Sequence, residues 1–380
     1  MNTAPSTDHA PRIIGVKKKS ILSIHEDSAI EQACLAQVGV ESPLPVFHGM
    51  EQLGFVVGRR GSREVTFYAD RQTLDQVVMA GITKYDDIIA AMGAGRRYTA
   101  LWSKAHTTAP VISSWYDLFP VSGNPVSGVY AGAANTSVQW ADTSIGSIAH
   151  AGNVGVTFNK YMTYIMGNAT AGTVGPTVVL YDRVLTYEAV VFTNATTQTF
   201  TNTLAAQRYI AGAPGMLIMV TGQLVASATQ HFLSYIYVNQ AGLAGQSLAG
   251  TATTTNVVPS YATPTASLGT RVVSPSVAVA NALTAGYAMP LVTGDTGVRS
   301  ITSIVTSAQV TPNTGKLCFV LMRPLAVLSL GSAGAPSEKD LVAMTTGMTQ
   351  VFDGACLNLL ALFPTATAAT LTGGFDVTWN

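Results

Sequence analysis

From Tyr209 to Thr270 the chain runs for 62 residues without one aspartate, glutamate, lysine or arginine. Such a stretch is neither a solvated coil nor a series of surface helices, which carry charge on their outer face. It must be interior, or surface that meets something other than water. The rest of the chain shares the bias: residues 1–120 hold 24 of the 40 charged side chains and residues 121–330 only 11. Charged residues make up 11% of the 380, against roughly 25% in an ordinary soluble domain. A hydrophobic fraction of 48% and mean hydropathy of +0.31 exclude a disordered protein. Zero formal net charge excludes a generally basic nucleic-acid binder. No stretch reaches the roughly 18 uninterrupted apolar residues of a spanning helix; Met216–Val220 runs straight into Thr221, Gly222 and Gln223. A near-neutral surface with few charges favours association.

Cys34, Cys318 and Cys356 are odd in number and far apart, with no C-x-x-C or Cys/His cluster. Neither a zinc site nor a disulfide framework is indicated. Cys318 and Cys356 stand in apolar runs and read as buried thiols. The N-terminal residues carry no apolar signal segment, and a reducing site of synthesis is expected.

Residues 1–20 read as a flexible arm, broken by Pro5 and Pro11 and carrying the basic run Lys17, Lys18, Lys19. Residues 21–110 read as a small α-rich region. Ser28 and Glu31 form a capping-box pair for a helix over 28–39. Arg63–Ala69 has strand character. Asp70–Met92 reads as two helices capped by Thr73 and Thr83, the second with Tyr85, Ile88, Ile89 and Met92 at i, i+3, i+4, i+7. Residues 111–380 change character. Short runs rich in Val, Ile, Thr, Tyr and Phe at 155–158, 162–166, 177–185, 187–193, 216–225, 231–238, 270–273, 301–310 and 316–323 alternate with turn residues. That pattern predicts a mainly β body, a β-sandwich of jelly-roll-like type. A helix is predicted over 337–348, capped by Ser337 with Asp340 following, then a β pair at 355–362 and 370–379. VVLYDRVL (178–185) and FVLMRPL (319–325) are faintly alike.

Catalytic motifs are missing. There is no G-x-x-x-x-G-K-[ST] and no G-x-S-x-G. The six histidines never stand at i, i+4. Between 121 and 330 the carboxylates are Asp142, Asp182, Glu188 and Asp295, thin material for paired-carboxylate glycosidase chemistry. Asp182-Arg183 reads as an ion pair at a strand end, and Asp295 as a turn residue bonding local backbone. No cofactor and no metal is expected. The densest aromatic cluster is Trp102, Trp115, Tyr116, Phe119 and Trp140. It suits core packing at the junction of the two regions, a subunit contact, or a stacking platform for a ligand. With the three lysines, Trp102, Trp115, Tyr116 and Phe119 are the candidate assembly contacts.

FYAD at 67–70, TLDQVVMAGITKYDDIIAAM, SSWYDLFPVSGNP, YDRVLTY, YAMPLVTGDTGVRSITSI and DGACLNLLALFPTATAAT together resemble virion structural proteins of tailed bacteriophages. The resemblance runs from about 65 to 380 in short segments. It implies a virion protein made in the host cytoplasm. It implies partners among copies of itself and other virion proteins, with packaged DNA as a contact for the arm, and no membrane. It transfers no catalytic residue. The expectation is a non-enzymatic subunit of the head shell, as capsid or cement protein. The alternatives are a tail fibre or host-recognition module and a glycan-acting enzyme. In fold, the alternative is the α/β shell fold of tailed-phage capsid proteins, which needs a long spine helix where the sequence offers none beyond about ten residues.

Overall fold

The computed structural model describes residues 53–60, 63–70, 82, 85–155, 158–191, 197–203, 208–209, 215–224, 232–249, 271–272, 286–306, 316–343 and 348–380. The chain divides into two units, Met1–Thr83 and Lys84–Asn380. In the first, strands β1 (Leu53–Arg60) and β2 (Arg63–Asp70) pair antiparallel, from Leu53 opposite Asp70 to Arg60 opposite Arg63. The second opens with helix α1 (Tyr85–Gly93). It continues through β3 (Arg97–His106), β4 (Ser114–Asp117), β5 (Gly123–Asn124), β6 (Ser137–Gln139), β7 (Lys160–Ala169) and β8 (Thr177–Val191). Next come β9 (Thr197–Thr199), β10 (Leu217–Leu224), β11 (Phe232–Asn239), β12 (Gln246–Ala249) and β13 (Val298–Thr306). The last are β14 (Lys316–Ser329), β15 (Ser337–Asp340), β16 (Gln350–Val351), β17 (Leu357–Phe363) and β18 (Ala369–Trp379).

The larger unit is built around one long sheet, ordered β10-β14-β8-β17-β4, with β6 also on β8. Its two longest strands serve two cores in turn. Val178 and Leu180 of β8 enter one core with Ala326 and Leu328 of β14, facing the sheet β15-β7-β18-β3-β5 through Trp102, Ile165, Leu371 and Phe375. Further along, Leu185 and Tyr187 of β8, with Phe319 and Leu321 of β14, enter a second core. Here they face the sheet β12-β11-β13-β9 through Tyr235, Tyr237, Ile301 and Ile304. The parity of inward side chains changes between these stretches because the ladder is bulged: Leu185 lies opposite Leu321 but Arg183 lies opposite Met322. A bulge adds one residue to one strand and so turns its pattern over. On the reverse face Val179, Tyr181, Cys318, Val320 and Leu360 pack together, as period-two alternation demands.

The protein is mainly β, as the β-branched runs predict, and the strands near 162–166, 216–225, 231–238, 301–310 and 316–323 are present. Other details differ. The runs 177–185 and 187–193 form one 15-residue strand, with Ala189 at φ 52° where the ladder is bulged again. Residues 337–340 form the edge strand β15 on β7 rather than a helix. There Asp340 caps a turn, its Oδ1 accepting Val342 N at 2.8 Å and Ala343 N at 3.3 Å. That local bond is what a helix N-cap looks like in sequence. β17 and β18 do not pair with each other: β17 lies between β8 and β4, and β18 between β7 and β3. Residues 271–272 make isolated bridges only. Within residues 21–110 the structure holds β1, β2, α1 and β3, and β3 is paired along its length with β18 of the body. The arm 1–20, the helix 28–39 and the first of the two helices before Met92 lie outside the described residues. Among the described residues α1 is the one α-helix, and no helix is long and apolar enough to cross a membrane.

Candidate functional site

Lys17, Lys18 and Lys19 lie outside the described residues. The four aromatic candidates lie inside the body and not on its surface: Trp102, Trp115, Tyr116 and Phe119 are all buried. Trp102 packs beneath Gly373, where an added Cβ would come within 2.4 Å of its ring. Tyr116 meets His106 and Phe363 edge-on, and its hydroxyl accepts Val111 N at 2.7 Å. Phe119 packs edge-on against Trp140, 4.9 Å between centroids. They are core residues, as large aromatic area demands, and not contacts offered to a neighbour.

Beside Phe119 lies a layer of buried charge. Arg183 and Asp182 are neighbours on β8 and do not pair with each other, because successive strand residues point to opposite faces. Arg183 reaches Asp117, and its Nη2 donates to Tyr181 Oη at 2.8 Å. Its Cζ stands 4.1 Å above the Phe119 ring. Tyr181 and Tyr130 donate to the Asp117 carboxylate at 2.7 and 2.8 Å, and Phe119 N at 3.1 Å. Nε and Nη1 of Arg183 have no hydrogen-bond partner among the described residues. Burial opposes the arginine's charge, but Asp117 together with Tyr130, Tyr181 and Cys318 outweighs it and holds the guanidinium above its ordinary pKa.

Asp182 is more fully enclosed. Arg208 Nε and Nη2 grip it at 2.9 Å each, Tyr209 Oη donates at 3.0 Å and Cys356 N at 2.9 Å. Arg208 also donates from Nη1 to Trp140 O at 2.9 Å and from Nη2 to Arg183 O at 3.1 Å. Glu188, the third buried acid, accepts Gly132 N at 2.5 Å and Thr186 Oγ1 at 2.9 Å. Thr186 in turn accepts Trp140 Nε1 at 2.8 Å. Asp182 and Glu188 are therefore committed to structural bonds. Asp295 bonds across strands, taking Tyr237 Oη at 2.6 Å and Asn239 Nδ2 at 2.7 Å, rather than local backbone.

Two further cations, on β3 and β7, are buried. Lys104 on β3 donates to Val121 O at 3.1 Å and Pro125 O at 2.8 Å, and burial pulls its pKa down to about 8. Lys160 at the start of β7 meets His150, Gly152 O and Asp353. Cys318 and Cys356 are free and buried, and burial pushes the Cys356 thiol up to about 12. No group of three His, Cys, Asp or Glu side chains suited to a metal exists among the described residues.

The outside reverses this distribution. Five of the eleven charges in residues 121–330 are buried: Lys160, Asp182, Arg183, Glu188 and Arg208. Meanwhile Tyr85, Ile89 and Met92 form an exposed stripe on α1, beside buried Ile88 and Ala91. On the outer face of the β7-β18-β3 sheet, exposed Leu101 and Met166 flank Gly374. Val126, Val129 and Ile145 are each more than 60% exposed. The predicted helical spacing reveals the stripe on α1 but not which of its faces stays outside.

No protein-family description matches this sequence, and no curated protein sequence does. Among solved structures it is similar to the D431N mutant VP2 protein of infectious bursal disease virus, in derived T=1 particles. The identity is 10% over 74% of this chain and 77% of that one, with a TM-score of 0.16. It is also similar to the VP2 subviral particle of the same virus, at 8% identity over 74% and 79% and a TM-score of 0.17. Likeness at that score does not establish a shared fold.

Proposed function

We propose that this chain is a non-enzymatic structural subunit of a virus particle, a bacteriophage head-shell capsid or cement protein, that assembles with copies of itself. The observation that carries the reading is the pairing just described: five of the eleven charges in residues 121–330 lie inside, while large apolar side chains such as Ile89, Leu101 and Ile145 stay exposed. Obligate interfaces are more apolar and poorer in charge than ordinary surface. A freely soluble monomer gains nothing from exposing Ile89, Leu101 and Ile145 while burying Arg183 and Glu188. Closed symmetric assembly would bury such surface repeatedly. The segment resemblance to tailed-phage virion proteins supplies the kind of particle, with other virion proteins, and packaged DNA at the Lys17–Lys19 arm, as further partners.

Light scattering on the purified protein, followed by negative-stain imaging of the same sample, tests this. Shells or closed rings at tens of micromolar support a head role. Trimers that never close favour the tail-fibre or host-recognition alternative. A stable monomer at that concentration overturns self-association.

A further inference from the structure

The His150–Lys160 contact has a polarity that the proton controls. Ala355 O can only accept, so His150 Nε2 carries the hydrogen of their 2.7 Å bond. Nδ1 is then a bare acceptor, and Lys160 Nζ stands 3.1 Å from it. The same ammonium reaches Gly152 O and pairs with Asp353 at 2.7 Å. Both His150 and Lys160 are about 99% buried. One ammonium thus ties the 150–152 segment and the 353 turn to the first residue of β7. The tie continues inward through a single peptide unit: the C=O of Ala355 takes the His150 hydrogen, and the N–H of Cys356 donates to Asp182 at 2.9 Å. Asp142 N to Gly354 O at 3.2 Å and Ile148 N to Leu357 O at 2.9 Å fasten the same two segments.

We propose that His150, Lys160 and Asp353 form an acid-released latch that holds segments 142–155 and 352–356 together over the Asp182–Arg208 pair. A proton on Nδ1 removes the acceptor and sets an imidazolium against an ammonium in a buried site. The charged groups acting on the ring are Lys160 from β7 and Asp142 from the 140–147 turn, while Asp353 from the 352–355 turn pairs with Lys160. Burial first, and Lys160 second, hold the ring below the ordinary histidine pKa, against Asp142 and the Ala355 bond. The latch is therefore closed at neutral pH and opens as pH falls below about 6.5. It stands independently of the assembly reading, since every contact lies within one chain.

Hydrogen exchange on the intact protein reads the latch directly, using β18 peptides as the internal reference for the intrinsic pH effect. Between pH 7.5 and 5.0, peptides covering 142–155 and 352–358 should gain about tenfold in exchange relative to β18. In His150→Asn that relative gain should vanish. An unchanged ratio in the wild type, or the same gain in His150→Asn, overturns the proposal. If His150→Asn does not fold, the His150 ring resonance of the wild type decides: titration below 6.5 supports the latch, and titration at or above 6.5 overturns it.

Discussion

The charged layer on β8 and the outer surface of the body follow opposite rules. Inside, Asp182 receives two arginine nitrogens, a tyrosine hydroxyl and a backbone amide. Outside, Ile89 and Leu101 are more than half exposed. Buried ion pairs rarely add net stability over well-packed apolar groups, but losing one partner is costly. The layer therefore fixes which segments meet: β4, β8, the 208–209 segment and the start of β17. The surface is left free to be covered. The contrast makes a graded set of expectations: large stability effects inside, small ones outside, and the reverse for association.

The largest effect belongs to Asp182→Ala. It leaves Arg208 buried without its counter-charge and strands Tyr209 Oη and Cys356 N. The expected loss is about 3–5 kcal/mol, read as a fall in the denaturant midpoint. A loss under about 1 kcal/mol would mean that water reaches the pair and that the layer is not an interior.

Arg183→Met should fall at the low end of the same range, about 3 kcal/mol, because it leaves Asp117 buried without its counter-charge. Nε and Nη1 lose no partner there, and Asp117 keeps its bonds from Tyr130, Tyr181 and Phe119 N. Methionine also retains contact with the Phe119 ring. Combining it with Asp117→Asn should cost less than the sum of the singles, with a coupling of about 2 kcal/mol in a double-mutant cycle. Strict additivity would show that the two charges do not depend on each other.

The sequence makes one side of this contrast legible and hides the other. β-branched runs place β7, β8, β10, β11, β13 and β14 because a half-buried pleat favours those side chains wherever it occurs. Scarcity of charge is visible too. What stays hidden is partner choice, which is non-local. Asp182-Arg183 looks like an ion pair in sequence, but a strand sends neighbours to opposite faces. Ser337 and Asp340 match a helix start because a capped turn and a helix cap use the same bond. Trp102, Trp115, Tyr116 and Phe119 have the composition of a contact, and only the fold shows that Gly373 makes room for Trp102 inside. Consecutive strands β17 and β18 look like a hairpin, yet they wall the same core from opposite sides through Leu359 and Leu371.

Acidity probes the interior at two points. His106 and His150 are buried, and burial lowers the pKa of each. A group whose folded pKa lies below its unfolded value of about 6.5 binds its proton better when unfolded. Its stabilising contribution is present above 6.5 and is lost as pH falls below it. Each histidine adds at most about 1.4 kcal/mol per pH unit in that window. Thermal midpoints measured from pH 8 to 5 should be level above 7 and fall below 6.5. His150→Asn should flatten part of the slope and leave the His106 part. A midpoint that rises on acidification would contradict the burial of both rings.

The smallest stability effect should come from Ile89→Asp. The side chain stands outside on α1, 67% exposed, between exposed Tyr85 and Met92, while Ile88 and Ala91 hold the helix to the body. Aspartate there removes no core contact, and surface changes of that kind stay within about 0.5 kcal/mol. Its effect on association should be the opposite: a charge at the centre of an apolar interface must be desolvated without a partner. The expected outcome is an unchanged melting midpoint together with a shift toward smaller species in light scattering. Unchanged assembly would remove α1 from the interface and move attention to Leu101 and Met166. An altered melting midpoint would mean that Ile89 is covered within the single chain, which would erase the distinction between inside and outside at that helix.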